Sequence, residues 1–229
     1  MREGVSVVIP AWNAAATIGE TLESVARQTL PPGEVVLVDD GSTDATAEAA
    51  QSAHPEIRLF RQRQAGPAAA LNRGVRECSG PLLAFLDADD LWVPGKLEMQ
   101  LAMLENDPQA DAVIGCMETF LCPSMNAETA RRYRLPEKPQ IARLMGALLV
   151  RRAVFDRVGT FAEDLRLGYS IDWFDRARAI GIRFAIAEDT VFRRRIRPGS
   201  LSHRNQEKDR VYLEVARRAL ARRRAPSSV

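Results

Sequence analysis

Asp87-Ala88-Asp89-Asp90 is the sharpest chemical feature of the chain. Hydrophobic residues run directly into it, so its carboxylates sit where a buried strand would emerge. Carboxylates that close repel one another unless a cation neutralises them. A hard divalent ion with oxygen ligands, Mg²⁺ or Mn²⁺, does this, and the same ion can bridge a diphosphate. The plain alternative is an Asp-rich turn that caps the following helix. A second acidic segment, Asp39-Asp40-Gly41-Ser42-Thr43-Asp44, also follows an apolar run. There Asp39 and Asp44 suit turn and cap duty, and Gly41 suits a tight turn.

Those clusters need strands to place them, and the hydrophobic periods supply the strands. Val5–Ile9 is a short continuous apolar run and Glu34–Val38 a second such strand, as expected of strands buried on both faces, and Ile57–Phe60 and Pro81–Leu86 read as the third and fourth strands. Between them lie helical patterns: Ile18, Leu22 and Val25 in one, an alanine-rich stretch after Asp44, and Ala68–Cys78 behind Gly66-Pro67. Lys96–Glu105 follows, with Leu97, Leu101 and Leu104 on one face. This alternation predicts an α/β fold, a mostly parallel central sheet flanked by helices. Ligands in such sheets gather at the carboxyl ends of the strands, where Asn13, Asp39-Asp40 and Asp87–Asp90 all fall.

The second half is less regular. Strands are predicted at Ala112–Cys116, Gly146–Val150 and Arg183–Ala187, with helices at Ala153–Arg157 and Asp172–Ile180. Cys122–Pro139 reads as a long polar excursion of the kind that is mobile or functional. Gln206–Arg224 reads as an Arg-rich helix ending in a disordered Ala225–Val229. The division expected is residues 1–204 as one domain, 1–110 binding nucleotide and 111–204 facing the acceptor, with 205–229 as a helical tail.

Composition removes several classes. The chain has 229 residues, 46% hydrophobic and 27% charged, which suits one sizeable core. Lys and Arg total 32 against 30 Asp and Glu, a balance that does not point to nucleic acid. Cys78, Cys116 and Cys122 show no metal-ligand spacing and suit a reducing compartment. No apolar stretch is long enough for a bilayer, and no signal-like segment opens the chain. A cytoplasmic protein is expected, peripheral at the inner membrane face if it touches a membrane. The basic runs Arg193–Arg195, Arg217-Arg218 and Arg222–Arg224 bear on that point. They read either as solvated faces or as contacts for anionic lipid headgroups.

Val7-Val-Ile-Pro-Ala-Trp-Asn13, Val36-Leu-Val-Asp-Asp-Gly-Ser-Thr-Asp44 and Phe85-Leu-Asp-Ala-Asp-Asp-Leu-Trp92 occur in this order. Together they resemble the family 2 glycosyltransferases with the GT-A fold, over residues 4 to 202 and most densely from 5 to 97. The resemblance implies inverting transfer of a sugar from a nucleoside-diphosphate sugar, most commonly a UDP-sugar, to an acceptor hydroxyl. The acceptor would be a saccharide, a lipid-linked molecule or a protein. It implies that Asp87 and Asp89 hold Mn²⁺ or Mg²⁺, which stabilises the departing diphosphate. Pro10, Ala11 and Trp12, with Asn13 beside them, would line the base and ribose pocket; plain core packing is the other reading of Trp12. Asp40 would accept a hydrogen bond from the base while Asp39 shapes its loop. Ala88 and the Gly66–Gly74 segment would lie near the phosphates, where a helix N-terminus favours an anion. Asn72 and Arg73 stand in that segment, and Arg73 reads either as a phosphate partner or as a solvent-facing residue.

The chain departs from the family in two places. Relatives carry an acidic Glu-Asp pair, whose Asp is the general base, where Tyr169-Ser170 stands here. Neither replacement is a carboxylate base at neutral pH. Asp172 is the candidate base in its stead, with Glu163 and Asp164 as neighbours able to serve. Relatives also carry His, near the metal or diphosphate, in the place of Arg197. Arginine pairs with phosphate oxygens but does not ligate metals. His203 reads as either a metal ligand or a surface residue. The departures keep a rival open, a glycosyltransferase-like protein that binds nucleotide sugar without transferring it. A nucleotidyltransferase, with paired acids and a metal, is the more distant alternative.

Overall fold

The computed structural model describes residues 4–197 and 205–224. His203 and the tail Ala225–Val229 lie outside them. Strands β1 (Val5–Ala11), β2 (Glu34–Asp39), β3 (Arg58–Arg61) and β4 (Leu82–Phe85) alternate with helices α1 (Ile18–Ala26), α2 (Thr46–Ala53) and α3 (Pro67–Glu77). β5 (Leu91–Trp92), α4 (Lys96–Asn106) and β6 (Ala112–Leu121) follow, then the one-turn α5 (Ala127–Ala130) and β7 (Gln140–Ile141). The chain continues through β8 (Leu149–Arg151), α6 (Ala153–Val158), α7 (Tyr169–Ala179), β9 (Phe184–Ile196) and α8 (Asn205–Arg224).

Among the described residues all nine strands join one sheet, ordered β3-β2-β1-β4-β8-β6-β9-β5, with β7 on β6. β1 to β4, β6 and β9 run one way, and β5, β7 and β8 run the other. The expected α/β, mostly parallel sheet is what forms. One apolar cluster fills the face under α1 and α4, with Ile9, Leu22, Leu37 and Leu97 in it. The other holds Val8, Phe85, Leu71 and Trp173 under α3 and α7. α3 comes so close to β1 that a Cβ on Gly74 would run into the Val8 side chain. Among the described residues no helix is long and apolar enough to cross a membrane.

Three departures from the expected elements matter for the site. β9 is 13 residues long rather than ending at Ala187, because its second half pairs with β6 through Leu121 and with β5 beside the acidic turn. α7 begins at Tyr169, three residues before the expected start, behind a left-handed Gly168. α8 is fastened to the rest of the domain: Arg222 bonds Asp172 and Asp175 of α7, and Arg218 pairs with Asp164.

Candidate active site

β2, β1 and β4 are neighbours in parallel register, Ala11 opposite Asp39 and Val8 opposite Phe85. Their carboxyl ends therefore deliver Pro10–Asn13, Asp39-Asp40 and Asp87–Asp89 to one edge of the sheet. Strands are about 4.8 Å apart, so this row is on the scale of a nucleotide.

The acidic turn is pinned from both sides. From the N-cap and first turn of α1, Thr17 Oγ1 donates to the Ala88 carbonyl at 2.8 Å and Thr21 Oγ1 to that of Asp90 at 3.0 Å. From β9, Arg195 Nε donates to the Asp89 carbonyl at 2.7 Å, and the Arg195 amide to Asp90 Oδ1 at 2.8 Å. Asp90 is thus a framework residue, and Asp87 and Asp89 are left as the carboxylates of the site. Asp87 keeps some surface open to solvent, though protein crowds its carboxyl. Burial and the neighbouring Asp89 charge push it up to about 6, with Arg194 acting in the opposite sense. Burial and the charges of Asp89 and Asp87 also raise Asp90 well above the carboxylate range. Arg197 Nε pairs with Asp89 Oδ2 at 2.8 Å.

Oxygen donors of this kind fit a hard divalent ion. Among the described residues, no group of three or more His, Cys, Asp or Glu could hold one. Two carboxylates with phosphate oxygens and water completing the shell is the usual arrangement for Mg²⁺. Asp87 and Asp89 suit that division.

The Pro10–Asn13 and Asp39–Asp44 end of the row has an aromatic face and a tied loop. Trp12 is 47% exposed, so the core-packing reading of it fails. Asn13 adopts φ 48°, accepts from the Thr43 amide at 2.9 Å, and its own amide donates to Ser42. It joins the two loops. Asp39 is wholly buried; Oδ1 accepts from the Ser42 amide and Oδ2 lies 3.0 Å from Arg61 Nε. Gly41 sits at φ 74°, where a Cβ would stand 2.9 Å from the Gln64 nitrogen. Asp44 accepts from the Thr46 and Ala15 amides, the turn role expected of it. Asp40 accepts from Gln62 Nε2 and from the Ala65 and Gly66 amides at 2.8–2.9 Å. A carboxylate offers about four lone-pair sites, and these three donors leave about one of them open. The amide at the start of α3, expected to meet a phosphate, instead meets Asp40.

Other expected residues do not join this row. Asn72 is buried, and its amide bonds Phe161 and Glu163. Arg73 donates to the Arg61 carbonyl and lies over the Phe60 ring. Asp172 is 2% exposed, with Oδ2 on Arg176 at 2.9 Å and Oδ1 on Arg222 at 3.0 Å. Oδ1 serves the α7–α8 joint and Oδ2 an ion pair within α7, so both oxygens are taken by arginines and Asp172 stands in the framework. Tyr169 lies close enough to the acidic turn to feel its charges. Its ring meets Phe161 edge-on at 6.0 Å, and burial with the Asp87, Asp89 and Asp90 charges raises its phenol well above its ordinary value. The phenol stays protonated, a hydrogen-bond donor and not a base.

Sequence reasoning missed Thr17, Thr21, Arg194 and Arg195. The threonines stand four apart, one capping α1 and one in it, a buried polar pair beside an apolar face that asked for partners. The arginines were hidden in a run that resembled a solvated face, yet Arg195 is 4% exposed and also bonds Glu20.

The model for "Glycosyl transferase family 2" matches residues 6–186. The chain belongs to glycosyl transferase family 2. The succinoglycan biosynthesis protein ExoU of Rhizobium meliloti is 32% identical over 97% of this chain and 71% of its own length. Glycosyltransferase AglE of Haloferax volcanii is 34% identical over 82% of this chain and 65% of its own length. Among solved structures, S. aureus TarS 1-349 in complex with UDP superposes with a TM-score of 0.70 at 20% identity, covering 96% of this chain and 65% of that one. The mannosyltransferase PcManGT from Pyrobaculum calidifontis, in complex with GDP-Man and Mn²⁺, gives 0.70 at 24%, covering 95% and 64%. The chain thus spans about two thirds of most of these relatives, and the shared fold is the GT-A fold of the family 2 glycosyltransferases.

Proposed function

We propose that this family 2 glycosyltransferase transfers a sugar from a nucleoside-diphosphate sugar to an acceptor hydroxyl with inversion. The observation that carries the reading is the pinned pair Asp87 and Asp89, set on the same sheet edge as Trp12 and Asp40. Trp12 stacks on the base beside Pro10 and Ala11, and Asp40 accepts from it. Asp87 and Asp89 hold Mn²⁺ or Mg²⁺ against the diphosphate. When bound, that ion supplies Lewis-acid stabilisation of the leaving group. Arg194 and Arg197 add positive charge beside it, and Tyr169 donates a hydrogen bond into the site. A UDP-sugar is the donor proposed; TarS was solved with UDP and PcManGT with GDP-Man. The acceptor proposed is a saccharide, a lipid-linked molecule or a protein. Exposed Leu213 and Leu220 on α8, with Arg217 between them, support contact with an anionic membrane surface.

A second reading has its own observation. With Asp172 locked between two arginines and Tyr169 in place of an acid, the protein binds nucleotide sugar without transferring it. Release of UDP from UDP-sugars in the presence of Mn²⁺ and candidate acceptors separates the two. Turnover removes the binding-only reading. Tight binding with no UDP release from any donor removes the transferase reading.

A further inference from the structure

Asp89 already carries a cation. Arg197 Nε stands 2.8 Å from Oδ2, with the arginine side chain 36% exposed and the aspartate 22%. Among the described residues Asp87 makes no comparable ion pair; Arg194 acts on it only as a nearby charge. Arg195 holds the Asp89 carbonyl, so the Asp89 backbone is fixed and its partner can change without moving the turn. Both side chains of the pair keep contact with water.

A guanidinium has no lone pair to offer a metal. A divalent ion on Asp89 therefore competes with Arg197 for the same carboxylate and is repelled by its charge. A diphosphate reverses that balance, because its oxygens suit the guanidinium fork. Resting on the donor-site reading above, we infer that Arg197 is a positioning residue that changes partners. It neutralises Asp89 in the ligand-free protein and turns onto the donor diphosphate when the ion takes Asp89. Ion and nucleotide then bind as a coupled pair, and the ion alone binds poorly, since coupling is reciprocal.

The test is Mn²⁺ binding to the full chain, read from the electron paramagnetic resonance signal of free Mn²⁺, without nucleotide and then with UDP. Arg197→Met should bind Mn²⁺ alone about tenfold more tightly than the parent chain, and UDP in EDTA about tenfold more weakly. Arg197→Lys, which keeps the charge, should stay near the parent in the Mn²⁺ titration. A melting curve checks each variant, and Arg197→Gln replaces Arg197→Met if the latter does not fold. Unchanged or weaker Mn²⁺ binding in the uncharged variants would overturn the exchange. The nucleotide-free titration decides the competition by itself. A parent chain that bound no nucleoside diphosphate would sink the donor reading separately.

Discussion

Asn72 clasps Phe161 by both backbone groups, its Oδ1 accepting from the Phe161 amide at 2.8 Å and its Nδ2 donating to the Phe161 carbonyl at 2.9 Å. The clasp ties α3 to the loop ahead of α7, 89 residues away, and so positions Tyr169, which packs on the Phe161 ring. Asn72→Leu leaves a buried amide and carbonyl unpaired, and should cost about 2 kcal/mol of stability. Chemical denaturation checks that loss, and calorimetry should find nucleotide affinity nearly unchanged. Lost nucleotide affinity at full stability would instead place Asn72 at the ligand.

Asp172 gives the sharper framework prediction. Breaking a buried, doubly paired carboxylate should cost about 3 kcal/mol, so Asp172→Asn should melt lower while binding nucleotide normally. A variant with an unchanged melt and abolished turnover would return Asp172 to the reaction.

Lys96 is fully buried, held by Gln100 Oε1 at 2.7 Å and facing the Trp92 ring at 4.3 Å. Burial lowers it to about 7 from an ordinary 10.5. Between those values the unfolded chain binds the extra proton, so stability rises with pH there and is lowest below 7. Lys96 alone should add about 2 kcal/mol between pH 7 and pH 9. Denaturation of the parent and Lys96→Met at both pH values isolates this term. Equal pH slopes would show that Lys96 is charged in the folded state.

Trp12 offers the converse test, a ligand effect with little effect on folding. Stacking of a base on an aromatic is worth about 1–3 kcal/mol, so Trp12→Ala should weaken UDP by about tenfold or more. Its exposure predicts an unchanged melting temperature without ligand. A lower melt with unaltered UDP affinity would make Trp12 a packing residue after all.

The parallel half of the fold was legible because β1, β2 and β4 are largely apolar runs, and even the short edge strand β3 keeps Leu59 and Phe60 between its arginines. β5 and β7, two residues each, are too short to carry a period. The second half of β9 was hidden by Glu188, Asp189 and the arginines, whose strand conformation comes from pairing with β6 and β5 rather than from local preference. In the site, Asp87, Asp89, Trp12 and Asp40 stood out by type and spacing. Asn72 and Asp172 misled because a buried, satisfied polar side chain and a ligand-binding one look alike in sequence. Only their partners, Phe161 and Arg222, tell them apart, and those lie far along the chain.

The central claim is that Asp89, with Asp87, holds a divalent ion against a nucleoside diphosphate. The most direct measurement is thermal unfolding with UDP, GDP, dTDP or CDP, each with Mn²⁺, Mg²⁺ or EDTA, for the parent chain and Asp89→Ala. Ligand at a hundred times its dissociation constant should stabilise the parent by about 2.7 kcal/mol. One nucleotide should do so, EDTA should remove most of the effect, and Asp89→Ala should lose the metal-dependent part while folding normally. Metal-dependent stabilisation that survives intact in Asp89→Ala would contradict the claim.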